Sequence, residues 1–222
     1  MENRVFDVVI VGGGISGCAL TYVLSKYSNV KSVAVLEKYG SLAPLNSNAR
    51  SNSQTLHCGD IETNYTLEKA VIVKRQANML VNYAKQVEKN DFLYKFPKMI
   101  LAVGEDECER LEQRHQTFAD AFPYMQLWNA ERIAEVEPNV ALMDGKPRPE
   151  KIIASGCTDE YSAVNYGNLS KSLISSARNN GTVINVSLDT KVQKISKFDD
   201  HYELVTPQGT FMAKFVVVSA GA

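Results

Sequence analysis

Val5 to Val11 is an apolar, largely β-branched run interrupted only by Asp7. A run of that kind reads as a parallel strand buried on both faces. Glycines follow it. Ile15, Ala19, Tyr22, Val23 and Lys26 then recur at helical spacing and predict a helix over Ile15 to Tyr27. A second strand, Ser32 to Leu36, ends in Glu37-Lys38. Together these segments make one strand–helix–strand unit.

From Tyr39 to Asn64 the periodicity stops, and Ser, Asn and Gly dominate around Pro44. A loop of that length inside a compact domain is usually functional. Tyr65 to Lys89 reads as a helix, with Val71, Ile72, Ala77, Leu80, Ala84 and Val87 along its apolar face. Met99 to Val103 is a predicted strand, and Glu105 to Phe122 a charged amphipathic helix ended by Pro123. Asn129 is placed to cap a short helix through Val136. Met143 to Glu150, with Gly145, Pro147 and Pro149, reads as a loop.

The β-branched texture returns at Ile152. A helix is expected over Asn165 to Asn179, stopped at Gly181, and then a short buried strand over Val183 to Val186. Lys191 to Lys197, Tyr202 to Thr206 and Thr210 to Ala213 read as a small antiparallel meander with a turn at Pro207-Gln208-Gly209. Phe215 to Val218 reads as another buried strand, leading into Ser219-Ala220-Gly221-Ala222. The predicted class is α/β. A Rossmann-like dinucleotide-binding domain with a parallel sheet and a small antiparallel meander is expected to be built from residues 1–90 and 151–222. Residues 91–150 would form part of an α+β substrate or cap domain.

Composition narrows this picture little. The chain has 222 residues, 45% of them hydrophobic and 22% charged, which is ordinary for a soluble globular protein. A formal net charge of -1 supplies no long-range field for nucleic acid or an anionic membrane. The N-terminal apolar run follows Asp7 and leads into glycines, so it does not read as a signal peptide, and no run reaches spanning length. Cys18, Cys58, Cys108 and Cys157 are scattered with no C-x-x-C pair, which predicts reduced thiols and no structural zinc site.

Three motifs carry chemistry. Gly12-Gly13-Gly14-Ile15-Ser16-Gly17 follows a strand and opens a helix. Gly12 permits the tight turn, Gly14 admits a pyrophosphate close to the backbone, and Gly17 lets helix and strand pack. The helix N-terminus presents free N–H groups and partial positive charge to phosphate. Glu37 ends the next strand, where an acid binds a ribose hydroxyl and disfavours a 2′-phosphate. The second motif is the polar run Ser47 to Asp60, which suits phosphate oxygens and a flat polar ring, or simply solvent. The third is the small-residue end Ser219-Ala220-Gly221, which allows close backbone approach at the carboxyl edge of a sheet.

Taken in order, these motifs resemble the flavoprotein superfamily that includes D-amino acid oxidase and L-2-hydroxyglutarate dehydrogenase. Within it the chain is most similar to the malate:quinone oxidoreductases. The resemblance rests on Phe6 to Gly17, Val35-Leu36-Glu37-Lys38, Leu45-Asn46-Ser47, the run Asn52-Ser53-Gln54-Thr55-Leu56-His57-Cys58-Gly59-Asp60 continuing to Tyr65, and Ser219 to Ala222. It implies FAD as cofactor. Gly12, Gly14, Ser16 and Gly17 would hold the pyrophosphate and Glu37 the adenosine ribose, with Ile15 and Lys38 as further cofactor contacts. Ser51, Asn52, Ser53 and Gln54 would run beside the diphosphate and isoalloxazine. Val192 would meet the adenine through its backbone, and Ala220-Gly221 would line the cofactor.

The implied reaction is oxidation of (S)-malate to oxaloacetate, with electrons passed to a quinone. His57 is the candidate base, or else a histidine that only hydrogen-bonds flavin or backbone. Arg50 is the candidate partner of a substrate carboxylate, or else a solvated loop residue. His115 and His201 read as surface residues. Other 2-hydroxy acids such as 2-hydroxyglutarate or lactate, a non-catalytic dinucleotide-binding module, and an NAD-dependent enzyme remain as alternatives. The implied setting is cytoplasmic, with peripheral contact at the inner face of the cell membrane left open. The family's members run on past the Ala-Gly strand, so the chain is expected to be a truncated, N-terminal portion.

Overall fold

The structure is a computed structural model that describes residues 4–51 and 53–221. The elements run β1 (Val5–Val11), α1 (Ile15–Tyr27), β2 (Ser32–Leu36), α2 (Leu67–Ala84), β3 (Leu93–Lys95), β4 (Lys98–Val103) and α3 (Glu105–Phe118). Next come β5 (Gln126–Trp128), α4 (Ala130–Val136), α5 (Pro138–Ala141), β6 (Leu142–Met143), β7 (Lys146–Pro147), β8 (Ile152–Cys157) and β9 (Tyr161–Val164). Last are α6 (Tyr166–Arg178), β10 (Val183–Ser187), β11 (Lys194–Lys197), β12 (Tyr202–Thr206) and β13 (Gly209–Val218). They divide into two compact units, residues 1–54 with 165–222, and residues 55–164. The division falls at other residues than 90 and 151, because α2, β8 and β9 pack with the second unit.

The first unit is a six-stranded sheet in the order β10-β2-β1-β13-β12-β11. β10, β2, β1 and β13 are parallel, and β11, β12 and the first half of β13 are antiparallel. Alternation along the strands separates two faces. Phe6, Val9, Ala34 and Leu36 pack with Leu204, Phe211 and Ala213, while α1 and α6 pack against each other and against the sheet. Asp7 interrupts the apolar run for a reason visible in its partners. Its Oδ2 accepts the backbone N–H groups of Lys31 (2.8 Å) and Ser32 (3.1 Å), and its Oδ1 pairs with Lys214 Nζ at 2.7 Å. The Lys214 hydrogen bond, together with those from the backbone, holds the Asp7 carboxyl below its ordinary value.

Three expectations change. The meander strand at Thr210 and the strand at Phe215 are one continuous strand, β13, shared by the antiparallel and parallel halves of the sheet. Its far half is not buried: pairing with β12 stops at Ala213, and Phe215 and Val218 are 67% and 63% exposed. The loop expected over Met143 to Glu150 contains a hairpin, β6–β7. Asp144 and Gly145, both at positive φ (50° and 75°), make the two-residue turn that such a hairpin favours.

The second unit is built around the antiparallel sheet β4-β8-β5. On β4, Ile100 and Ala102 pack with Cys108 and Leu111 of α3. Met99, Leu101 and Val103 pack with Trp128 and with Ile133 and Val136 of α4. Asn129 caps α4, its side chain accepting from Arg132 N–H at 3.0 Å.

Candidate cofactor site

The glycine turn joins β1 to α1 through close backbone contact. Gly12 has φ +110°, and a Cβ there would lie 2.5 Å from the Ser219 carbonyl oxygen. A Cβ on Gly17 would meet the Gly12 carbonyl oxygen at 2.1 Å. Gly14 differs: the nearest atom to its Cβ position is Ser47 Oγ, 3.5 Å away, so this glycine faces open space. It is also the N-cap of α1, with no side-chain cap and no acidic residue in the first turn. That leaves the helix start suited to an anion.

A cleft of about 240 Å³ lies over this turn, lined by Gly12, Gly14, Ile15, Ser16, Glu37 and Lys38 on one side of the sequence and by Ser47, Ala220 and Gly221 on the other. Glu37 is buried, 6% exposed. Its Oε2 accepts Gly13 N–H at 2.7 Å and its Oε1 accepts Tyr39 N–H at 3.0 Å. A carboxylate offers about four lone-pair sites, so each oxygen keeps capacity for a diol while its charge repels a phosphate. Open glycine, a helix start free of acidic side chains and a buried acceptor fit an ADP moiety.

Other expected residues are placed less directly. Gln54 spends its side chain within the protein. Its Oε1 accepts Tyr166 N–H at 3.0 Å and its Nε2 donates to the Asn48 carbonyl at 3.4 Å, which ties the loop to the start of α6. Ser51 and Arg50 lie in an exposed turn, with their backbone N–H groups bonded to Asn48. Ser53 is exposed as well, and Asn52 lies outside the described residues. Val192 is half-buried against the core under the meander and is not part of the cleft lining. Ser47, which opens the polar run but was not among the expected cofactor contacts, contributes to the site: its Oγ accepts Ile15 N–H at 3.0 Å. Its place in the Leu45-Asn46-Ser47 segment was the available signal.

In the second unit His57 has a side chain 63% exposed, and its Nδ1 lies 2.8 Å from Glu62 Oε1. Three residues further on, Asp60 anchors a buried network. Its Oδ2 is 2.6 Å from Lys98 Nζ, with side-chain exposures of 0% and 6%, and it accepts from the Tyr124 hydroxyl at 2.9 Å. The Lys98 contact is an ion pair rather than a well-directed hydrogen bond. Burial and the neighbouring Asp60 push the Tyr124 hydroxyl far up. Burial works against the Lys98 charge, and the pairing with Asp60 more than offsets it, leaving the ammonium raised. Arg114 Nη2 donates to the backbone carbonyls of Asp60 (3.4 Å) and Glu62 (3.0 Å), fixing this loop from α3. His115 is not a plain surface residue: its Nδ1 lies 2.9 Å from Ser155 Oγ, half-buried against β8. All four cysteines are free and buried.

The parallel sheet, the glycine turn and the cleft make an α/β FAD-binding fold of the kind found in flavin oxidases. Among solved structures it is similar to glycine oxidase from Geobacillus kaustophilus (TM-score 0.70, 25% identity, 98% of this chain and 55% of that one). It is also similar to L-α-glycerophosphate oxidase from Mycoplasma pneumoniae, solved with FAD bound (TM-score 0.72, 26% identity, 98% and 54%). The family model for malate:quinone oxidoreductase matches residues 4–222, and the chain belongs to that family. A probable malate:quinone oxidoreductase of Campylobacter jejuni is 42% identical over 228 residues, covering 100% of this chain and 51% of the relative. The malate:quinone oxidoreductase of Helicobacter pylori strain 26695 is 40% identical, covering 98% and 49%. The chain thus spans about half the length of the curated relatives it matches.

Proposed function

We propose that this chain is the FAD-binding part of an enzyme that oxidises (S)-malate to oxaloacetate and passes the electrons to a quinone. The observation that carries the reading is the start of α1 at an open Gly14, with the buried Glu37 carboxylate lining the same cleft, in a chain of the malate:quinone oxidoreductase family. The first unit would hold the cofactor. Gly12, Gly14, Ile15, Ser16 and Gly17 take its pyrophosphate, Glu37 and Lys38 its ribose, and Ala220-Gly221 lie along it. Ser51, Asn52, Ser53, Gln54 and Val192 complete the expected contacts.

FAD, when bound, supplies the two-electron acceptor for the hydride of malate. The chain's own residues handle the proton and the carboxylate. His57 Nδ1 lies 2.8 Å from Glu62 Oε1; in the tautomer that donates there, Nε2 would carry the lone pair that accepts the substrate hydroxyl proton. Arg50 offers a guanidinium to a substrate carboxylate. No helix among the described residues is long and apolar enough to cross a membrane.

The test is reconstitution of the purified protein with FAD, flavin quantification, and anaerobic addition of (S)-malate, 2-hydroxyglutarate or lactate. Bleaching by malate and reoxidation by added quinone are expected. Bleaching by another 2-hydroxy acid instead, or bound flavin that none of them reduces, would refute the assignment.

A further inference from the structure

The second unit carries a cleft that the cofactor site does not use. It measures about 300 Å³ and is lined by Phe96, Pro97, Met99, Trp128, Val136 and Glu137, with Lys98 at its edge. That volume sits at the lower end of the range of about 300–1,000 Å³ seen for small-molecule sites. Its walls are the face of β4 that carries Met99, the end of β5 and the end of α4. Phe96 is 55% exposed and its ring stands 6.4 Å from that of Tyr94, itself 40% exposed, so an aromatic pair flanks the cleft.

Trp128 is the informative residue. It is 3% exposed, and its indole Nε1 is buried without a hydrogen-bond partner. Buried donors are almost always satisfied, and one that is not calls for a missing acceptor. The ring has no freedom to turn away to find one. A Cβ on Gly156, across the sheet, would lie 2.6 Å from Trp128 Cζ3, so the indole is pressed onto bare backbone. The chain has therefore fixed a donor beside an apolar cleft.

The charges around it select the ligand. Glu137 contributes a negative group to the lining. The cation at the edge, Lys98, is committed to Asp60 at 2.6 Å. Arg132 stands 5.5 Å over the Trp128 ring, but its guanidinium is bonded to Glu135 Oε2 at 2.6 Å. A dicarboxylate would find repulsion and no free cation. A neutral, flat molecule with a carbonyl oxygen at its edge would find apolar walls and, in the same wall, an indole donor that has no partner within the protein.

We propose that this cleft binds the ring of a quinone, with a quinone carbonyl accepting the Trp128 indole N–H. The choice of a quinone among neutral carbonyl compounds rests on the reading of the chain as a malate:quinone oxidoreductase.

Trp128 is the single tryptophan of the chain, so its fluorescence reports on this cleft alone. The probe is duroquinone, whose fully substituted ring resists addition of thiols. Saturable quenching is expected rather than a linear collisional slope. Trp128→Phe keeps an aromatic ring, though a smaller one, and loses the donor. By equilibrium dialysis it should bind duroquinone about five- to tenfold more weakly, the worth of one hydrogen bond. Durene, the same tetramethyl ring without carbonyls, should bind wild type and Trp128→Phe equally. Val136→Phe should fill the cleft and abolish binding of both. Malate should not displace duroquinone. Absence of saturable quenching, equal duroquinone affinity in Trp128→Phe, or displacement by malate would each overturn the proposal. The measurements need neither flavin nor turnover. A failure of malate to bleach the flavin would thus count against the proposed function and leave the cleft result standing, and the reverse also holds.

Discussion

Replacing Lys98 by Met should be among the most damaging single changes in the second unit. The substitution keeps much of the side-chain volume and removes the ammonium that stands 2.6 Å from Asp60 Oδ2. The Asp60 side chain has no exposed surface, and its Oδ1 is already without a partner, so water cannot take over. Only the Tyr124 hydroxyl would remain on the carboxylate. Breaking a buried pair from one side costs about 3–5 kcal/mol, whereas replacing all partners with apolar groups of similar shape is close to neutral. Against a typical total stability of about 5–15 kcal/mol, that is a large share. With a urea slope of about 2 kcal/mol/M, the unfolding midpoint should fall by about 1.5–2.5 M. The triple variant Asp60→Leu, Lys98→Met, Tyr124→Phe should recover all but about 1 kcal/mol. Urea titration followed by circular dichroism measures both. A Lys98→Met cost below 1 kcal/mol, or a triple variant as unstable as the single one, would show that the network is wetter than its burial implies.

Four further outcomes are expected. Gly14→Val should abolish FAD uptake while leaving the unfolding free energy from urea titration within about 1 kcal/mol of wild type, because only Ser47 Oγ lies near the new Cβ; equal flavin content in the variant would refute the placement of the pyrophosphate. Gly17→Ala should instead cost stability, about 1–3 kcal/mol or more, since its Cβ would sit 2.1 Å from a backbone oxygen; an unchanged thermal midpoint would refute it. Burial pushes the thiols of Cys58 and Cys157 up to about 11 and that of Cys18 up to about 12. About a thousandth or less of each is thiolate at pH 8, and alkylation counted by mass spectrometry should be slow until the protein is unfolded. The Asp7 carboxyl is depressed by Lys214 and backbone donors, so its contribution is present above its ordinary value of 3.8 and is lost as pH falls through the lower folded value. Asp7→Asn should therefore flatten the acid limb of the stability–pH curve, and an unchanged limb would count against the pairing.

Much of the first unit was legible before any coordinates. The bounds of β1, α1 and β2 read from β-branched runs, helical spacing and glycines agree with the structure, because each of those signals is local. Asn129 marks a helix start for the same reason: a cap acts within three residues. The short strands β3 and β5 escaped notice because three residues are too few to show a period.

What tertiary structure decided is pairing over distance. Nothing near Thr210 or Phe215 says that they share one strand; the partners on either side, β12 and β1, settle it. Phe215 and Val218 read as core from their β-branched neighbourhood, yet burial depends on what lies across the sheet. Asp60 is an ordinary loop acid in sequence, and it becomes a buried charge only because Lys98 and Tyr124 arrive from elsewhere in the chain. The open cleft above Gly14 and the orphaned donor of Trp128 belong to the same class. Composition and spacing set which groups a segment carries, but a group's exposure and partners are properties of the surfaces that close over it.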